Sequence, residues 1–343
     1  MSITSRDRPA TIDDVAQLAG VSRAAVSKVI RDAYGVSPAM RTKVTAAIET
    51  LDYRPSVAAR ALRGSSFTLG IETPDFINQF FAKLVEGATQ ELSETPYQLI
   101  IAPAEVDVHP ERALDALVDR QVAGIIAVSP FITQGWLEKL GRRTPVVMLG
   151  RHDESKVYDT VAGDDWTGAR AVMDHLFGLG HTAIAHLTRS GELTSPGLRS
   201  PHGVRLEVYL EMMRERGLEG STRVVRTGIS DHTAYLSTLE LLSAPERPTA
   251  IFAAHDQLAL GVLKAMAELG LTAREVSVVG YDDIVIADHP GISLTTMDQH
   301  GVQMGAEAAR MLIERIQGRT ESRRYLSNPV LRVRNSSAVA PSG

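Results

Sequence analysis

The 343-residue sequence predicts an α/β fold in which a small all-helical head precedes a body of parallel sheets. Near the N-terminus, helix-start residues and the helical spacing of apolar side chains predict three short helices. From residue 67 onwards, runs of Val, Ile, Leu and Ala alternate with amphipathic segments, which is typical of parallel strands joined by helices. About ten such runs occur in the body, and we expect them to form two lobes rather than one sheet.

Composition and charge restrict the class of protein. The chain has no Cys, which excludes disulfides and thiolate metal sites and fits a reducing cytoplasm. It shows neither a secretory signal nor an apolar run of about 18 residues, so we expect a cytoplasmic protein without a membrane span. The net charge is −5, yet residues 1–64 hold ten Lys and Arg against six Asp and Glu. A basic head on an acidic body indicates that the head approaches a polyanion, although uneven charge alone does not decide this.

The head contains two short helical segments that meet at a glycine. Thr11 and Asp14 have the spacing of a helix cap, and Gly20 permits a tight turn before a second cap at Ser22. The second segment turns only small or basic side chains outward, and these are Arg23, Ala24, Ser27, Lys28 and Arg31.

A third helix is predicted after Ser37 and Pro38, which suit the N-cap and the first helical position. The head is then a helix-turn-helix domain, in which the second helix lies in the major groove of DNA and its first residues meet base edges. Arg and Lys can donate hydrogen bonds to guanine, and small side chains let the backbone approach the bases. The alternative is an ordinary helical hairpin with a solvated basic face.

The segment 55–64 begins with Pro55 and ends with Gly64, as a short helix would. It is too short to be stable as a free helix. We expect a hinge helix that forms on DNA, with Leu62 wedged between base pairs in the minor groove and Ala58 on the same stripe. A basic linker is the alternative.

The body alternates between predicted strands and predicted helices. Strands are expected over 67–73, 98–104, 124–130, 145–150, 159–164, 182–188, 222–228, 249–254, 276–282 and 293–297. Amphipathic helices are expected between them, for example over 78–94, 166–179 and 256–270. Because ligands of open α/β sheets bind outside the carboxyl ends of the strands, the expected ligand site is a cleft between the lobes.

The segments TIDDVAQLAGVSRAAVSKVI and YRPSVAARALRG resemble the head and hinge of the lactose/galactose-repressor (LacI/GalR) family of bacterial transcriptional regulators. LGHTAIAHL, PTAIFAAHDQLALGVLKAMAELGL, VSVVGYDD and LTTM continue the resemblance in the family's order over almost the whole chain. The resemblance implies a regulator, most often a repressor, that binds double-stranded operator DNA and a small-molecule effector. The C-terminal segment has no Leu heptads, so the resemblance implies a homodimer rather than a tetramer.

The resemblance also implies a domain organisation. A helix-turn-helix domain over 9–54 and a hinge helix over 55–64 would precede a ligand-binding and dimerisation domain over 67–340. That domain would be similar to a two-lobed periplasmic sugar-binding protein. Its N-lobe would cover about 67–163 and 296–322, and its C-lobe about 164–293 and 325–340.

The family's base-reading positions fall on Arg23, Ala24 and Lys28. The expected DNA-binding residues are Ser22, Arg23, Ala24, Ser27, Lys28, Arg31, Ala58 and Leu62. Many relatives have a longer polar side chain in place of Ala24. Alanine can contact a thymine methyl group but cannot hydrogen-bond a base, so the operator cannot be deduced from this sequence.

Polar and aromatic residues that follow predicted strand ends, or that match the family's cleft positions, form the expected ligand site: Phe80, Phe81, Asp164, Trp166, Arg205, His255, Asp282 and Gln299. An Arg and an Asp can bind neighbouring hydroxyls, and an aromatic ring can cover the apolar face of a pyranose. A sugar or sugar derivative is therefore the favoured effector, while a purine could use the same aromatics. The alternatives are a Phe in the core, a helix cap at Asp164 and a structural ion pair at Arg205.

We expect no catalytic site, cofactor or metal site. The sequence has neither a G-x-S-x-G elbow nor a Walker loop. His181 and His186 lie five residues apart in a strand and so point to opposite faces. Two other functions stay open, a corepressed regulator with a nucleobase-like ligand and a small-molecule-binding protein with no DNA role.

Overall fold

The computed structural model describes residues 10–30, 33–53, 66–104, 109, 111–128, 131–191 and 199–341. The chain divides between Ser66 and Phe67 into two compact units, the head and the body. Within the described ranges, no helix is both long enough and apolar enough to cross a membrane.

The head contains helices α1 (Ile12–Ala19), α2 (Arg23–Ile30) and α3 (Pro38–Thr50). Thr11 caps α1, since its hydroxyl accepts a hydrogen bond from the Asp14 amide and its own amide donates to the Asp14 carboxylate. Gly20 ends α1 at a φ of 65°, in the left-handed region that glycine adopts without strain. The helices that the cap and turn residues predict are therefore present.

A small hydrophobic core joins the three head helices, built from Val15, Ala16, Ala19, Val26, Val29, Val44, Ala47 and Tyr53. Each helix contributes side chains at helical spacing, as the sequence pattern predicts. Burying these faces against each other stabilises helices that are too short to persist alone.

Six parallel strands form the sheet of the first lobe. They are β1 (Thr68–Thr73), β2 (Gln98–Pro103), β3 (Gly124–Ala127), β4 (Val146–Leu149), β5 (Asp159–Gly163) and β11 (Arg324–Ser327), in the spatial order β11-β5-β4-β3-β1-β2. The strands β3, β4 and β5 are buried along their whole length. Strands covered on both faces need continuous apolar runs, which is why the sequence identifies them.

The second lobe contains a four-stranded parallel sheet. Its strands are β6 (Ile184–Arg189), β7 (Arg223–Thr227), β8 (Ala250–Ala253) and β9 (Ser277–Val279), in the order β7-β6-β8-β9. A separate antiparallel pair joins β10 (Thr296–Asp298) to β12 (Val330–Arg332). The predicted α/β class with mainly parallel sheets is confirmed.

Helices connect the strands of both lobes. They are α4 (Phe80–Leu92), α5 (Arg112–Asp119), α6 (Gln134–Gly141), α7 (Asp165–Gly178), α8 (Pro201–Glu215), α9 (Asp231–Ser243), α10 (Asp256–Glu268) and α11 (Gly301–Ile316). The helices predicted over 78–94, 166–179 and 256–270 correspond to α4, α7 and α10.

Two predicted lobe boundaries need correction. β11 pairs with β5, from Arg324 opposite Thr160 to Ser327 opposite Gly163, so residues 325–327 lie in the first lobe and not in the C-lobe. Residues 296–298 pair with β12 and so do not belong to the sheet of the first lobe. The sequence did not reveal β11 and β12 because their side chains are mostly exposed or half-buried and neither strand has a long apolar run.

The helices α4 and α11 pack against each other through glycines. A Cβ added to Gly87 would lie 1.8 Å from the carbonyl oxygen of Val302, and one added to Gly305 would lie 2.0 Å from that of Leu84. Both contacts involve backbone, which cannot rotate away as a side chain can. The two glycines therefore allow the backbones to approach each other beneath the sheet of the first lobe.

Gly87→Ala should lower the free energy of unfolding by about 2–3 kcal/mol, because the added methyl forces α4 away from α11. Urea denaturation of both proteins measures the difference. Gly135→Ala is the matched control, since Gly135 is also helical and a Cβ there meets nothing within 4 Å. It should leave stability unchanged or raise it slightly. Equal effects of the two substitutions would contradict the close approach.

Candidate functional site

Helix α2 turns its first residues towards solvent. Arg23, Ala24 and Lys28 are exposed, and Ser22 caps the helix by accepting a hydrogen bond of 3.2 Å from the Ala25 amide. Ser27 was predicted on the same outer face but is only 8% exposed. That placement is wrong because Ser27 lies at the edge of the buried stripe, where a short side chain does not extend past its neighbours.

The side chain of Arg23 has an exchangeable partner. Its Nε lies 3.8 Å from the Asp13 carboxylate, and the two side chains are 64% and 67% exposed. An exposed ion pair of this kind contributes little stability, so Arg23 can leave Asp13 for another acceptor. The predicted DNA contacts Arg31, Ala58 and Leu62 lie outside the described residues.

A cleft of about 660 Å³, which includes part of its open mouth, lies in the body. Its walls come largely from residues that follow strands or begin the next helix, as expected for the carboxyl edge of parallel sheets. The lining residues are Pro74, Asn78, Phe80, Phe81, Val128, Leu149, Gly150, Arg151, Arg189, Pro201, His202, Arg205, His255, Asp282, Gln299 and Met304.

The two walls of the cleft differ in chemistry. The first lobe contributes mainly apolar side chains, including Phe80 and Phe81 at the start of α4, whose ring centroids are 6.5 Å apart. The second lobe contributes two histidines, two arginines and an aspartate. A ligand with one apolar face and several polar groups matches this division.

Arg205 on α8 is held by three neighbours. Its Nε donates to Oδ1 of Asp165 over 2.8 Å, and its Nη1 donates to the carbonyl of Ala254 over 2.5 Å. The guanidinium also lies 3.6 Å from the centroid of the Tyr281 ring. Burial lowers the pKa of Arg205, but Asp165, Tyr281 and Asp282 together outweigh burial and raise the pKa above its ordinary value. Arg205 is therefore a fixed cation in the cleft wall.

Asp165, the first residue of α7, connects Arg205 to the first lobe. Its Oδ2 lies 2.8 Å from Nε2 of His152, and Nδ1 of His152 lies 3.3 Å from Nη2 of Arg324 on β11. Burial raises the pKa of Asp165, but Arg205 and His152 together bring it below its ordinary value. The carboxylate is thus ionised and shared between the two lobes.

Asp282 is the one carboxylate among the described lining residues, and it is only 3% exposed. It accepts hydrogen bonds from the side-chain amides of Asn78 (3.1 Å) and Gln299 (2.5 Å). Burial raises the pKa of Asp282 to about 6, and Arg205 and the two amides oppose burial only in part. Its φ of 119° is a strained conformation for a residue with a side chain.

Imidazoles in the same wall stay neutral. Burial lowers the pKa of His255 to about 3, and Arg189 and Arg205 act in the same direction. Burial also lowers the pKa of His202, with further contributions from His255 and Arg189. Among the described residues, no group of three or more His, Asp or Glu side chains could hold a metal ion.

Known families match both parts of the chain. Residues 11–56 match the model of bacterial regulatory proteins of the lacI family, and residues 173–337 match a periplasmic binding protein-like domain. The chain is 33% identical over 334 residues to the ribose operon repressor of Escherichia coli strain K12, which covers 95% of this chain and 99% of the repressor. The chain belongs to the LacI family of bacterial regulatory proteins.

Other LacI-family proteins extend the comparison. The repressor PurR of Photobacterium profundum is 30% identical over 95% of this chain and 98% of its own length. The lac repressor dimer bound to operator superimposes with a TM-score of 0.80 and 27% identity over 96% of this chain and 100% of that one. A LacI-family regulator of Enterococcus faecium with bound ribose gives a TM-score of 0.71 and 25% identity over 79% of this chain and 99% of that one. This LacI-family regulator therefore combines a helix-turn-helix head with a periplasmic-binding-protein-like body.

Six of the eight predicted ligand residues line the cleft, namely Phe80, Phe81, Arg205, His255, Asp282 and Gln299. Asp164 and Trp166 do not line it. The Asp164 side chain caps α7 through the Thr167 amide at 3.0 Å. Trp166 is 37% exposed and packs its ring against His152, with centroids 4.7 Å apart. Successive helix residues point about 100° apart, so the residue that meets Arg205 is Asp165.

Four polar lining residues were not predicted, namely Asn78, Arg151, Arg189 and His202. Arg189 ends β6 and Arg151 follows β4. Both could therefore have been predicted, as Asp282 was, from their position at the carboxyl end of a strand. Arg151 is already paired, since its guanidinium donates to both carboxylate oxygens of Asp153. Asn78 lies between β1 and Phe80, so the rule that found Phe80 could have found it too. His202 follows no apolar run, and nothing in the sequence around it indicates the cleft.

Asp165→Asn should lower the free energy of unfolding at neutral pH by about 3–5 kcal/mol, because Arg205 stays buried without its counter-charge. The pKa of Asp165 is depressed, so its stabilisation is present above the ordinary value of 3.8 and is lost as the pH falls through the depressed pKa. Chemical denaturation at pH 7 tests this. A variant as stable as the wild type would show that the pair is dispensable.

Asp282→Asn should act in the opposite direction and raise stability at pH 8 by about 1–3 kcal/mol. The folded-state pKa of about 6 exceeds the ordinary 3.8, so the penalty of ionising Asp282 in the folded protein builds up as the pH rises from 3.8 to about 6 and is fully present above that. The gap between variant and wild type should therefore stay constant from pH 8 down to just above about 6 and narrow as the pH falls from about 6 towards 3.8, because Asp282 then takes up a proton in the folded protein. Melting temperatures across this range provide the measurement, and a variant less stable at pH 8 would refute the assignment.

Proposed function

We propose that this LacI-family protein is a transcriptional repressor whose α2 reads an operator and whose cleft binds a small-molecule effector that releases the DNA. The observation that carries the proposal is the exposed start of α2, with Arg23 and Ala24, in a chain that aligns with a ribose operon repressor over 95% of its length. An exposed Arg at a helix start can contact base edges in the major groove, whereas exposed Lys28 is placed to add a base or phosphate contact.

A sugar or sugar derivative is the effector that the cleft favours. The Phe80 and Phe81 rings offer an apolar cover, while Arg205 and Asp282 offer a fixed donor group and a fixed acceptor group. One relative is a ribose operon repressor and another holds bound ribose, which supports the same class. A second candidate stays open, a nucleobase that stacks on the same aromatic rings and tightens DNA binding rather than releasing it.

Contacts between the lobes provide a route from effector to DNA. Asn78 in the first lobe bonds to Asp282 in the second, and His152 bonds to Asp165 in the same way. A ligand that hydrogen-bonds to the Asp282 carboxylate would compete with the Asn78 amide for it. Such a ligand would therefore shift the equilibrium between different arrangements of the two lobes. The proposal requires a coupling free energy of about 1–3 kcal/mol between effector and operator.

The remaining parts of the proposal come from the sequence. Two subunits would bind a pseudo-palindromic operator as a homodimer, and Leu62 of each hinge segment, beside Ala58, would open a central base step, which the family resemblance implies to be CpG. Loss of hinge pairing after effector binding would lower the affinity for DNA. We assign the protein to the cytoplasm and to no catalysed reaction, and a binding protein without a DNA role is the competing proposal.

Selection of bound sequences from a random DNA pool tests the proposal directly. The full-length protein should enrich one palindrome, and one compound from a panel of sugars and nucleobases should weaken its binding. A palindrome that a compound strengthens would identify a corepressed regulator. Absence of any enriched sequence would favour the binding protein without a DNA role.

Arg23→Ala should relax the preference at one base pair of each half-site by about 1–3 kcal/mol in the same selection. Lys43→Ala is the control, because Lys43 is an exposed cation on α3 rather than at the start of the recognition helix. It should weaken binding to all sequences by similar factors or not at all. An unchanged base preference in the Arg23 variant would remove Arg23 from base recognition.

A further inference from the structure

Four exposed cations cluster at the end of α6 and in the segment that precedes β5. They are Lys139, Arg142, Arg143 and Lys156, and we call them the α6 basic patch. The first three have the i, i+3 and i+4 spacing that brings side chains to one face of a helix. A Cβ added to Gly141 would lie 3.0 Å from Cγ1 of Val157, so the end of α6 packs beside the segment that contains Lys156.

Carboxylates do not neutralise this patch. Within the described ranges, none of its four cations forms an ion pair. Glu138 precedes Lys139, but its carboxylate accepts hydrogen bonds of 3.0 Å from the side chains of Gln134 and Ser155. These two hydrogen bonds lower the pKa of Glu138, and Arg142 makes a smaller contribution in the same direction. One carboxylate therefore stands against four cations.

The patch is an exception on an acidic body. The chain has a net charge of −5 and residues 1–64 contribute +4, so residues 65–343 carry −9. Cations in the last turn of a helix are stabilised by the helix dipole, which accounts for Lys139. Lys156 belongs to no helix, so the dipole does not explain its place in the patch. A local excess of positive charge on a negative surface attracts a polyanion.

The patch lies at the edge of the sheet where the chain enters the first lobe. The carbonyl of Thr68 accepts a hydrogen bond of 2.7 Å from the Ala123 amide, and that of Pro145 accepts one of 2.9 Å from the Ile125 amide. The starts of β1, β3 and β4 are therefore level. Because β3 alone separates β1 from β4, the start of β4, just after the patch, lies about 10 Å from Thr68. The cleft is at the opposite, carboxyl edge.

The length of the chain brings DNA within reach of this edge. Under the proposed function Leu62 lies in the minor groove, and Thr68 follows it by six residues. Six fully extended residues span at most about 20 Å. The start of β1 is then no further than this from the groove. DNA carries one negative charge per about 1.7 Å of its axis, so the duplex presents a dense row of phosphates.

We propose that the α6 basic patch contacts the phosphate backbone of the DNA to which the head is bound. This inference rests on the proposed function, because binding of the head to DNA brings the duplex to the body. Phosphate contacts carry no direct sequence information, so the patch adds affinity while the head specifies the operator. The first lobe thus takes part in DNA binding as well as in binding the effector.

Salt dependence of DNA binding tests the proposal on the full-length protein. The Kd for the selected palindrome is measured from about 50 to about 200 mM KCl. Arg142→Gln combined with Arg143→Gln removes two charges from each subunit of the proposed homodimer. The slope of log affinity against log salt should become shallower by about 2–4, and the Kd near 100 mM KCl should rise about tenfold or more. The base preference should stay unchanged.

Arg247→Gln combined with Arg274→Gln is the matched control. Both arginines are exposed and precede strands β8 and β9 of the second lobe, so the control removes the same charge from the same body. It should leave the slope unchanged. Arg142→Lys combined with Arg143→Lys keeps the charges and should retain most of the affinity, since Lys also binds phosphate. Melting temperatures verify that each variant is folded.

The outcomes separate this proposal from the repressor function. A wild-type slope in the Gln variant of the patch overturns the DNA contact and favours an acidic protein as partner, while an enriched palindrome leaves the repressor function standing. An equal loss in the control variant also overturns the contact, because net charge then explains the effect. If no palindrome is enriched, the sequence-specific repressor fails, and the same titration on an arbitrary duplex decides the patch. Failure to bind any duplex overturns both proposals.

Discussion

The buried ion pair between Arg205 and Asp165 is the interaction on which the cleft depends. Arg205 reaches the Ala254 carbonyl and the Tyr281 ring, so the pair fixes the starts of α7 and α10 and the loop after β9 relative to α8. His152 extends the same contact into the first lobe. Burying two charges is favourable only when their geometry and hydrogen bonds are good, and here each charge has several partners. Asp282 follows Tyr281 in the chain and His255 follows Ala254, so both residues lie beside the groups that Arg205 contacts.

Asp282 shows the cost of keeping a carboxylate in the cleft wall. Its backbone lies at a strained φ of 119°, and burial raises the pKa of its carboxyl to about 6. The neighbouring amides of Asn78 and Gln299 satisfy the carboxylate without neutralising it. Asp165 is equally buried but fully paired, and its pKa moves the other way. Asp165 therefore holds the structure together, whereas Asp282 lines the cleft.

Much of the fold was predictable because short stretches of sequence determine its strands and helix ends. Buried parallel strands such as β4 need continuous apolar runs, and the caps at Thr11 and Ser22 mark helix starts. β11 and β12 were not predictable, since edge strands with exposed side chains carry no such signal. In the cleft, residues such as Asp282 were predictable because they follow strands, and ligands of open α/β sheets bind at the carboxyl ends of the strands. His202 was missed because only the tertiary fold brings it to the cleft, and Trp166 was misplaced because the adjacent Asp165 points inward.

In an effector-controlled repressor, the affinity of the cleft for effector and the affinity of the head for operator DNA are thermodynamically coupled. The most direct measurement is the Kd of the effector in the absence and presence of saturating operator DNA. Linkage requires that operator changes effector affinity by the same factor as effector changes operator affinity. The account predicts an effector Kd that rises about 5- to 150-fold on the operator, the range of typical coupling free energies. An effector Kd that the operator leaves unchanged would contradict it.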